Sequence, residues 1–79
     1  MKLTVRYFAI LREQAGASEE TLETSASTPS ALFDEIAQAR GITLGRNALK
    51  VAVNEAFVPM DHVLEEGDAV VFIPPVAGG

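Results

Sequence analysis

TPSALFDEIAQARG, residues 28–41, decides how this chain folds, because it is the clearest helix in the sequence. Thr28 suits the N-cap, Pro29 suits the first helical position, and Gly41 suits the position after a helix where φ turns positive. Apolar residues form one stripe along this segment: Leu32, Phe33, Ile36 and Ala37. The pattern predicts one amphipathic helix over Pro29–Arg40, with its apolar stripe against a sheet.

Two strands are predicted before this helix. Residues 1–10 alternate between apolar and polar, which places Phe8 on the outer face of a first strand. Residues 11–15 predict a short helical turn that Gly16 ends, and Thr21 to Ser25 predicts a weaker second strand. The residues expected on the core face of the first strand are the odd-numbered ones: Leu3, Val5, Tyr7 and Ala9.

Three further strands are predicted after the helix. They are residues 49–53, a short strand around Phe57 and Val58 after a tight connection at 54–56, and residues 69–73 after the turn Glu66-Gly67-Asp68. The acidic residues around that turn, Glu65, Glu66 and Asp68, are expected to form a solvated loop. One main helix among these strands predicts an α+β domain over residues 1–73, with a mixed sheet packed on the helix in the β-grasp arrangement.

Composition limits the classes of function. A chain of 79 residues with a net charge of −5 has room for one domain and lacks the basic patch of a nucleic-acid binder. It has no cysteine and a single histidine, His62, which is expected to be a surface or loop residue, so neither a disulfide nor a metal site is predicted. The longest apolar run, residues 69–73, is too short to span a bilayer. We expect a cytoplasmic protein that binds neither nucleic acid nor membrane.

The C-terminal segment Pro74-Pro75-Val76-Ala77-Gly78-Gly79 is predicted to be an extended reactive tail. Pro74 and Pro75 lack N–H donors and favour a polyproline-like direction, so they would project the following residues away from the domain. Gly78 and Gly79 have no side chains and would pass through a narrow channel. A terminal Gly-Gly by itself is more often a frayed end. Its combination with the prolines and with a domain of this size favours a functional tail.

The tail ends in one carboxylate, on Gly79, which is ionised at neutral pH and is therefore a poor electrophile. It would react only after activation, for example as an acyl-adenylate, and attack by a sulfur donor would then leave a thiocarboxylate. The sequence has no phosphate-binding glycine loop and no nucleophile–base pair. The chain is therefore predicted to be a carried substrate, with no enzymatic activity of its own.

The chain resembles the small subunit of molybdopterin synthase over essentially its whole length. The resemblance rests on VRYFA at 5–9 with LRE at 11–13, on Val53-Asn54 with EGD at 66–68, and most specifically on PPVAGG at 74–79. It implies a β-grasp fold, ATP-dependent adenylation of Gly79 by an activating enzyme like those of ubiquitin, and sulfuration to a thiocarboxylate by a sulfur donor protein. The tail would then enter a large catalytic subunit and give its sulfur to cyclic pyranopterin monophosphate. The usual assembly is two large and two small subunits.

The resemblance also implies an apolar docking patch on the sheet, at Phe8, Phe57 and Ile73. No bound cofactor is expected, and ATP is consumed by the activating enzyme. Three alternatives stay open: a thiamine-pathway sulfur carrier, a ubiquitin-like modifier whose Gly79 is joined to a lysine, and a non-covalent interaction module.

Overall fold

The computed structural model of the chain describes residues 1–45 and 48–75. In these residues the elements in chain order are β1 Lys2–Tyr7, α1 Ile10–Ala15, β2 Glu19–Glu23, α2 Pro29–Arg40, β3 Lys50–Val53, β4 Ala56–Val58 and β5 Ala69–Ile73. The strands form a sheet in the order β2-β1-β5-β3-β4. β1 and β5 are parallel, and the other neighbours are antiparallel. This mixed sheet with one main helix is the predicted β-grasp fold.

The bounds of α2 are those predicted from its capping residues. Thr28 has an extended backbone, and its hydroxyl accepts a hydrogen bond from the Ala31 N–H at 3.2 Å. Gly41 follows with φ of 69°, a left-handed conformation that costs glycine little. Between these caps the predicted stripe is buried at Leu32, Phe33 and Ile36. The apolar periodicity therefore identified the face that packs on the sheet.

The core lies between α2 and one face of the sheet. The Phe33 ring of α2 meets the Phe72 ring of β5 edge to face, with centroids 5.2 Å apart. One row of register partners runs along this face through all strands except β2: Tyr7, Phe72, Val51 and Val58. Because successive residues of a strand alternate between faces, Val71 and Ile73 lie on the opposite, outer face.

The predicted place of Ala9 in the core is wrong. β1 ends at Tyr7, and Ala9 is exposed with φ of 52° and ψ of −127°. The chain turns there to begin α1, because the Leu11 N–H donates to the Phe8 carbonyl at 3.1 Å and the Arg12 N–H donates to the Ala9 carbonyl at 3.0 Å. These bonds end the strand alternation two residues before Ala9.

The second strand lies two residues earlier than predicted. Its pairing with β1 joins Arg6 to Glu19 at one end and Lys2 to Glu23 at the other. Thr24, placed in the strand by the sequence, is instead buried, and its hydroxyl accepts from the Ala26 N–H and donates to the Glu35 carboxylate, both at 2.9 Å. Thr24 therefore belongs to the turn between β2 and α2, where its hydroxyl connects Ala26 of the turn to Glu35 of the helix.

The acidic turn before β5 is solvated only in part, because Glu65 and Glu66 are exposed as predicted, whereas the predicted exposure of Asp68 is wrong. Asp68 is buried, and its carboxylate accepts hydrogen bonds from the Asn54 side-chain amide at 2.9 Å and from the Glu65 N–H at 2.8 Å. The Glu66 carboxylate accepts from the Lys2 N–H at 3.0 Å. The parallel pairing of β1 with β5 brings the start of β1 beside this turn, so these two carboxylates hold strand ends together.

Candidate functional site

The outer face of the sheet, turned away from α2, is the candidate site. Residues opposite each other in neighbouring strands point to the same face. One row on this face runs through Arg6, Val71, Ala52 and Phe57. The next row pairs Ile73 with Lys50. The register thus puts Phe57 and Ile73 on one face of the sheet.

Residues 58–72 separate Phe57 from Ile73 along the chain, so only the pairing of β3 with both β4 and β5 brings the two side chains to the same surface. Phe57 is 73% exposed, which is high for an aromatic side chain, and Ile73 is half-buried. Val71 is half-buried and Ala52 is buried, and both lie in the row between β1 and Phe57. The outer face is therefore apolar from β5 to the edge strand β4.

Phe8 lies at the end of this face from which the tail departs. Tyr7 is paired with Phe72 in the parallel ladder, so Phe8 and Ile73 follow directly at the same end of two neighbouring strands. Phe8 is 45% exposed, in agreement with its predicted outward position. The structure thus places Phe8, Phe57 and Ile73 at the surface, and their role in docking stays a prediction.

Sequence reasoning missed Ile10, which is 47% exposed at the first position of α1. The available signal was the pair Ile10-Leu11 at the start of a helix of six residues, because the one buried face of so short a helix takes Leu11 and Ala15 and leaves Ile10 exposed. Val71 and Ala52 were missed for a different reason. Their place between Ile73 and Phe57 depends on strand register, which the alternation within a single strand does not contain.

The predicted tail begins at the end of β5. Pro74 is buried and Pro75 is exposed, so the chain reaches the surface at the second proline. The remaining predicted tail residues, Val76, Ala77, Gly78 and Gly79, lie outside the described residues. The predicted reactive group, the Gly79 carboxylate, therefore stays a sequence prediction, and so does the division of the chain into a domain over 1–73 and a tail over 74–79.

Charges are arranged differently on the two faces of the sheet. On the outer face, Arg6 Nε lies 3.2 Å from Glu19 Oε1, and both side chains are exposed. Toward α2, Glu20 accepts a hydrogen bond from the Tyr7 hydroxyl at 2.5 Å and is paired with Arg40. Burial, and then this bond to Glu20, raise the pKa of Tyr7 above its ordinary value. Tyr7 is thus a neutral structural donor, remote from the outer face.

Within residues 1–45 and 48–75, no group of three or more His, Cys, Asp and Glu side chains is arranged to hold a metal ion. His62 is half-buried in the loop after β4, where its N–H donates to the Pro59 carbonyl at 3.1 Å. In the same two described ranges, no helix has the length and apolar character needed to cross a membrane.

Comparison with known sequences gives one family over most of the chain. The sequence profile of the ThiS family matches residues 5–79. The molybdopterin synthase sulfur carrier subunit of Haemophilus influenzae is 34% identical over 98% of this chain and 99% of its own length. The protein of the same name from Chlamydomonas reinhardtii is 37% identical, and the alignment covers all of both chains.

Solved structures agree with the fold. The putative molybdopterin converting factor subunit 1 of Pyrococcus furiosus has a TM-score of 0.79 and 30% identity, over 96% of this chain and 99% of its own. SAMP1 of Haloferax volcanii has a TM-score of 0.80 over both full chains, at 21% identity. A complex of subunits 1 and 2 of molybdopterin-converting factor from Helicobacter pylori contains a chain with a TM-score of 0.68 and 21% identity, again over both full chains. The last two likenesses concern the fold alone.

Proposed function

The chain belongs to the ThiS family, and from this premise we propose that it is the sulfur carrier subunit of a molybdopterin synthase. The observation that supports this most directly is its 34–37% identity, over nearly the full length, to proteins named molybdopterin synthase sulfur carrier subunit. The ThiS profile extends to Gly79, so the likeness includes the terminal Gly-Gly.

The proposed chemistry takes place at the Gly79 carboxylate. Attack of this carboxylate on ATP forms an acyl-adenylate and releases pyrophosphate. A donor that supplies sulfur at the oxidation state of hydrosulfide then attacks the carbonyl carbon, the C–O bond to AMP breaks, and a thiocarboxylate is left. AMP is a far better leaving group than the oxide of a free carboxylate, which explains why ATP is consumed.

The catalytic groups for these steps are proposed to lie on partner proteins. The chain would supply the acyl group, while an adenylating enzyme supplies the nucleotide site, and a sulfur donor protein supplies the sulfur. The large subunit of molybdopterin synthase would then receive the tail and transfer the sulfur to cyclic pyranopterin monophosphate. The chain itself is proposed to bind no cofactor and to have no activity when alone.

The outer face is proposed to position the tail in these partners. Phe8 and Ile73 lie at the end of the sheet where the tail departs, and Phe57 extends the apolar surface to β4. A partner that covers this surface would hold the tail at a fixed angle and distance from its own active site. The buried Pro74 supports this role, because it joins the tail to the domain without a freely rotating segment.

Intact mass spectrometry tests the proposal. We expect incubation with ATP, the adenylating enzyme and a sulfide source to replace one oxygen by one sulfur in the full-length chain, and fragmentation to place the change on Gly79. A variant without Gly79 should stay unmodified, although it folds normally. The sulfurated protein with the large subunit should convert cyclic pyranopterin monophosphate to a dithiolene.

Each alternative gives a different result in the same experiments. A thiamine-pathway carrier would acquire sulfur but would fail to support dithiolene formation, and it would rescue a thiamine-requiring strain. A protein modifier would appear in immunoblots of cell extract as a series of higher-mass conjugates. A non-covalent module would keep its function after removal of Gly79. Any of these three results would overturn the proposed role.

A further inference from the structure

A groove of about 600 Å³ lies at the corner of the sheet where β3 and β4 separate. Val51 and Val58 are the last paired residues of these two strands, and beyond them the strands separate. Phe57 stands at the groove with its side chain 73% exposed. The remaining apolar lining comes from both strands and from the residues after β4: Leu49, Val51, Val58, Pro59 and Met60.

Lys50 is the charged residue of this groove. It is exposed, and no carboxylate lies within ion-pair distance of it among residues 1–45 and 48–75. Arg6 and Arg40 are each paired with a glutamate, and Lys2 and Arg12, which also have no ion pair among the described residues, do not line the groove. In a chain with a net charge of −5, an unpaired cation beside an apolar groove is complementary to a carboxylate from another molecule.

The groove is continuous with the proposed docking face. Lys50 is the register partner of Ile73, the last residue of β5, so it lies beside the point where the tail begins. Phe57 belongs both to the outer face and to the groove. A protein that covers Phe57 and Ile73 therefore also covers the opening of the groove and brings its own side chains to Lys50.

We propose that the large subunit of molybdopterin synthase inserts an apolar side chain into this groove, and that a neighbouring carboxylate of the large subunit pairs with Lys50. This inference rests on the proposed function and adds a second anchoring point to it. The apolar side chain supplies the buried contact area, and the ion pair fixes how the partner is oriented around the tail. A polyanion would bind this groove poorly, because the net charge of −5 on the chain repels it and Lys50 is the one cation in the groove lining.

The test compares the two lysines of the chain, which are Lys2 and Lys50. Lys2 also lies on β1 of the sheet, but at the opposite end from the tail, roughly 16 Å along the strand from Tyr7. The dissociation constant for the purified large subunit from the same organism is measured by calorimetry for the wild type, K50E, K50R and K2E. K50E and K2E change the net charge equally, so a difference between them reports position alone.

We expect K50E to weaken binding about tenfold, K50R to bind within twofold of the wild type, and K2E to do the same. The difference between K50E and the wild type should shrink as salt is raised to 0.5 M, because an exposed ion pair is screened. Equal affinities of K50E and K2E would overturn the inference while leaving the proposed function intact. Failure of the wild type to bind the large subunit would overturn the proposed function itself.

The apolar part of the inference is tested separately by methyl NMR. The Val51, Val58 and Met60 methyl signals should shift or broaden when the large subunit is added, whereas the Val63 methyls should not. Unchanged Val58 and Met60 signals in a complex that perturbs Ile73 would show that the partner docks without entering the groove, and would overturn the inference.

Discussion

The Tyr7 hydroxyl donates a hydrogen bond of 2.5 Å to the carboxylate of Glu20, whose other oxygen is bound by Arg40. These three residues come from β1, β2 and the end of α2, so the contact joins the edge of the sheet to the C-terminus of the helix. Arg40 is well placed there, since a cation is favoured at the negative end of the helix dipole. The inner side of this sheet edge thus carries polar contacts, separate from the Arg6–Glu19 pair on the outer face.

The first prediction concerns Tyr7 and pH. Burial and Glu20 raise the pKa of Tyr7 in the folded state, so the unfolded chain loses this proton first as pH rises. The contribution of protonated Tyr7 to the free energy of unfolding is therefore fully present below about pH 10. Above that pH it is lost, by up to about 1.4 kcal/mol per pH unit. Tyr7→Phe should lower the free energy of unfolding by about 1 kcal/mol at pH 7, and the variant should not show the loss of stability above pH 10 that the Tyr7 titration causes.

Urea unfolding of the wild type and Tyr7→Phe at pH 7 and pH 10.5 checks this. Tyr7 is the one tyrosine of the chain, so the difference between the two proteins isolates its titration from that of the lysines. An equal alkaline loss of stability in both proteins would contradict the assignment.

The second prediction concerns the turn between β3 and β4. Asn54 and Glu55 both have positive φ, of 50° and 74°, as in the two-residue hairpin turns that favour Asn-Gly. Glu55 is strained there because its Cβ is disfavoured in a left-handed conformation. Glu55→Gly should raise the free energy of unfolding by about 1 kcal/mol.

Asn54→Ala is the matched control at the same turn. It removes two hydrogen bonds of 2.9 Å, one donated to the Asp68 carboxylate and one accepted from the Ala69 N–H. It should lower the free energy of unfolding by about 2 kcal/mol. If Glu55→Gly destabilised the protein to a similar extent, the turn geometry would be wrong.

The third prediction concerns Ala9, whose backbone conformation few residues other than glycine adopt. Ala9→Gly should stabilise the protein by about 1 kcal/mol, because relief of strain exceeds the entropy that glycine adds to the unfolded chain. Ala39→Gly, on the exposed face of α2, should instead destabilise by about 0.5–1 kcal/mol. Thermal unfolding of the two variants should shift in opposite directions, and a shared direction would refute this account of Ala9.

The fourth prediction compares two exposed apolar residues. Phe57 and Val63 are 73% and 69% exposed. Phe57 lies on the outer face, whereas Val63 lies in the loop after β4, next to Leu64, whose N–H donates to the Ser27 carbonyl near the start of α2. Phe57→Ala should weaken binding to the large subunit about 30-fold, equivalent to about 2 kcal/mol. Val63→Ala should leave it unchanged. Neither variant should alter the unfolding midpoint, and equal binding losses would remove the special role of the outer face.

Local sequence patterns predicted the secondary structure well where the backbone preference of a single residue fixes the end of an element. The bounds of α2 follow from Thr28, Pro29 and Gly41, whose preferences are properties of the backbone within one turn. The alternation of β1 predicted Leu3, Val5 and Tyr7 in the core for the same reason. Ala9 was placed wrongly because the pattern has no means of showing that two backbone hydrogen bonds end the strand before it.

The acidic turn shows a second limit of local patterns. Glu66 and Asp68 were expected in a solvated loop, because they flank Gly67 in a sequence typical of a turn. Their partners are Lys2 and Asn54, which lie far away along the chain. Only the pairing of β5 with both β1 and β3 brings these groups within hydrogen-bond distance.

Sequence alone was sufficient for the fold class, the main helix and the family, because capping, apolar periodicity and the terminal PPVAGG motif are all local features. The outer face required the tertiary structure. A surface made of Ile73, Val71, Ala52 and Phe57 exists only in one register of β5, β3 and β4, and a shift of one residue would turn each side chain to the other face. The same holds for the groove beside Lys50, because the place where two strands stop pairing is decided by contacts between segments that are distant in the chain.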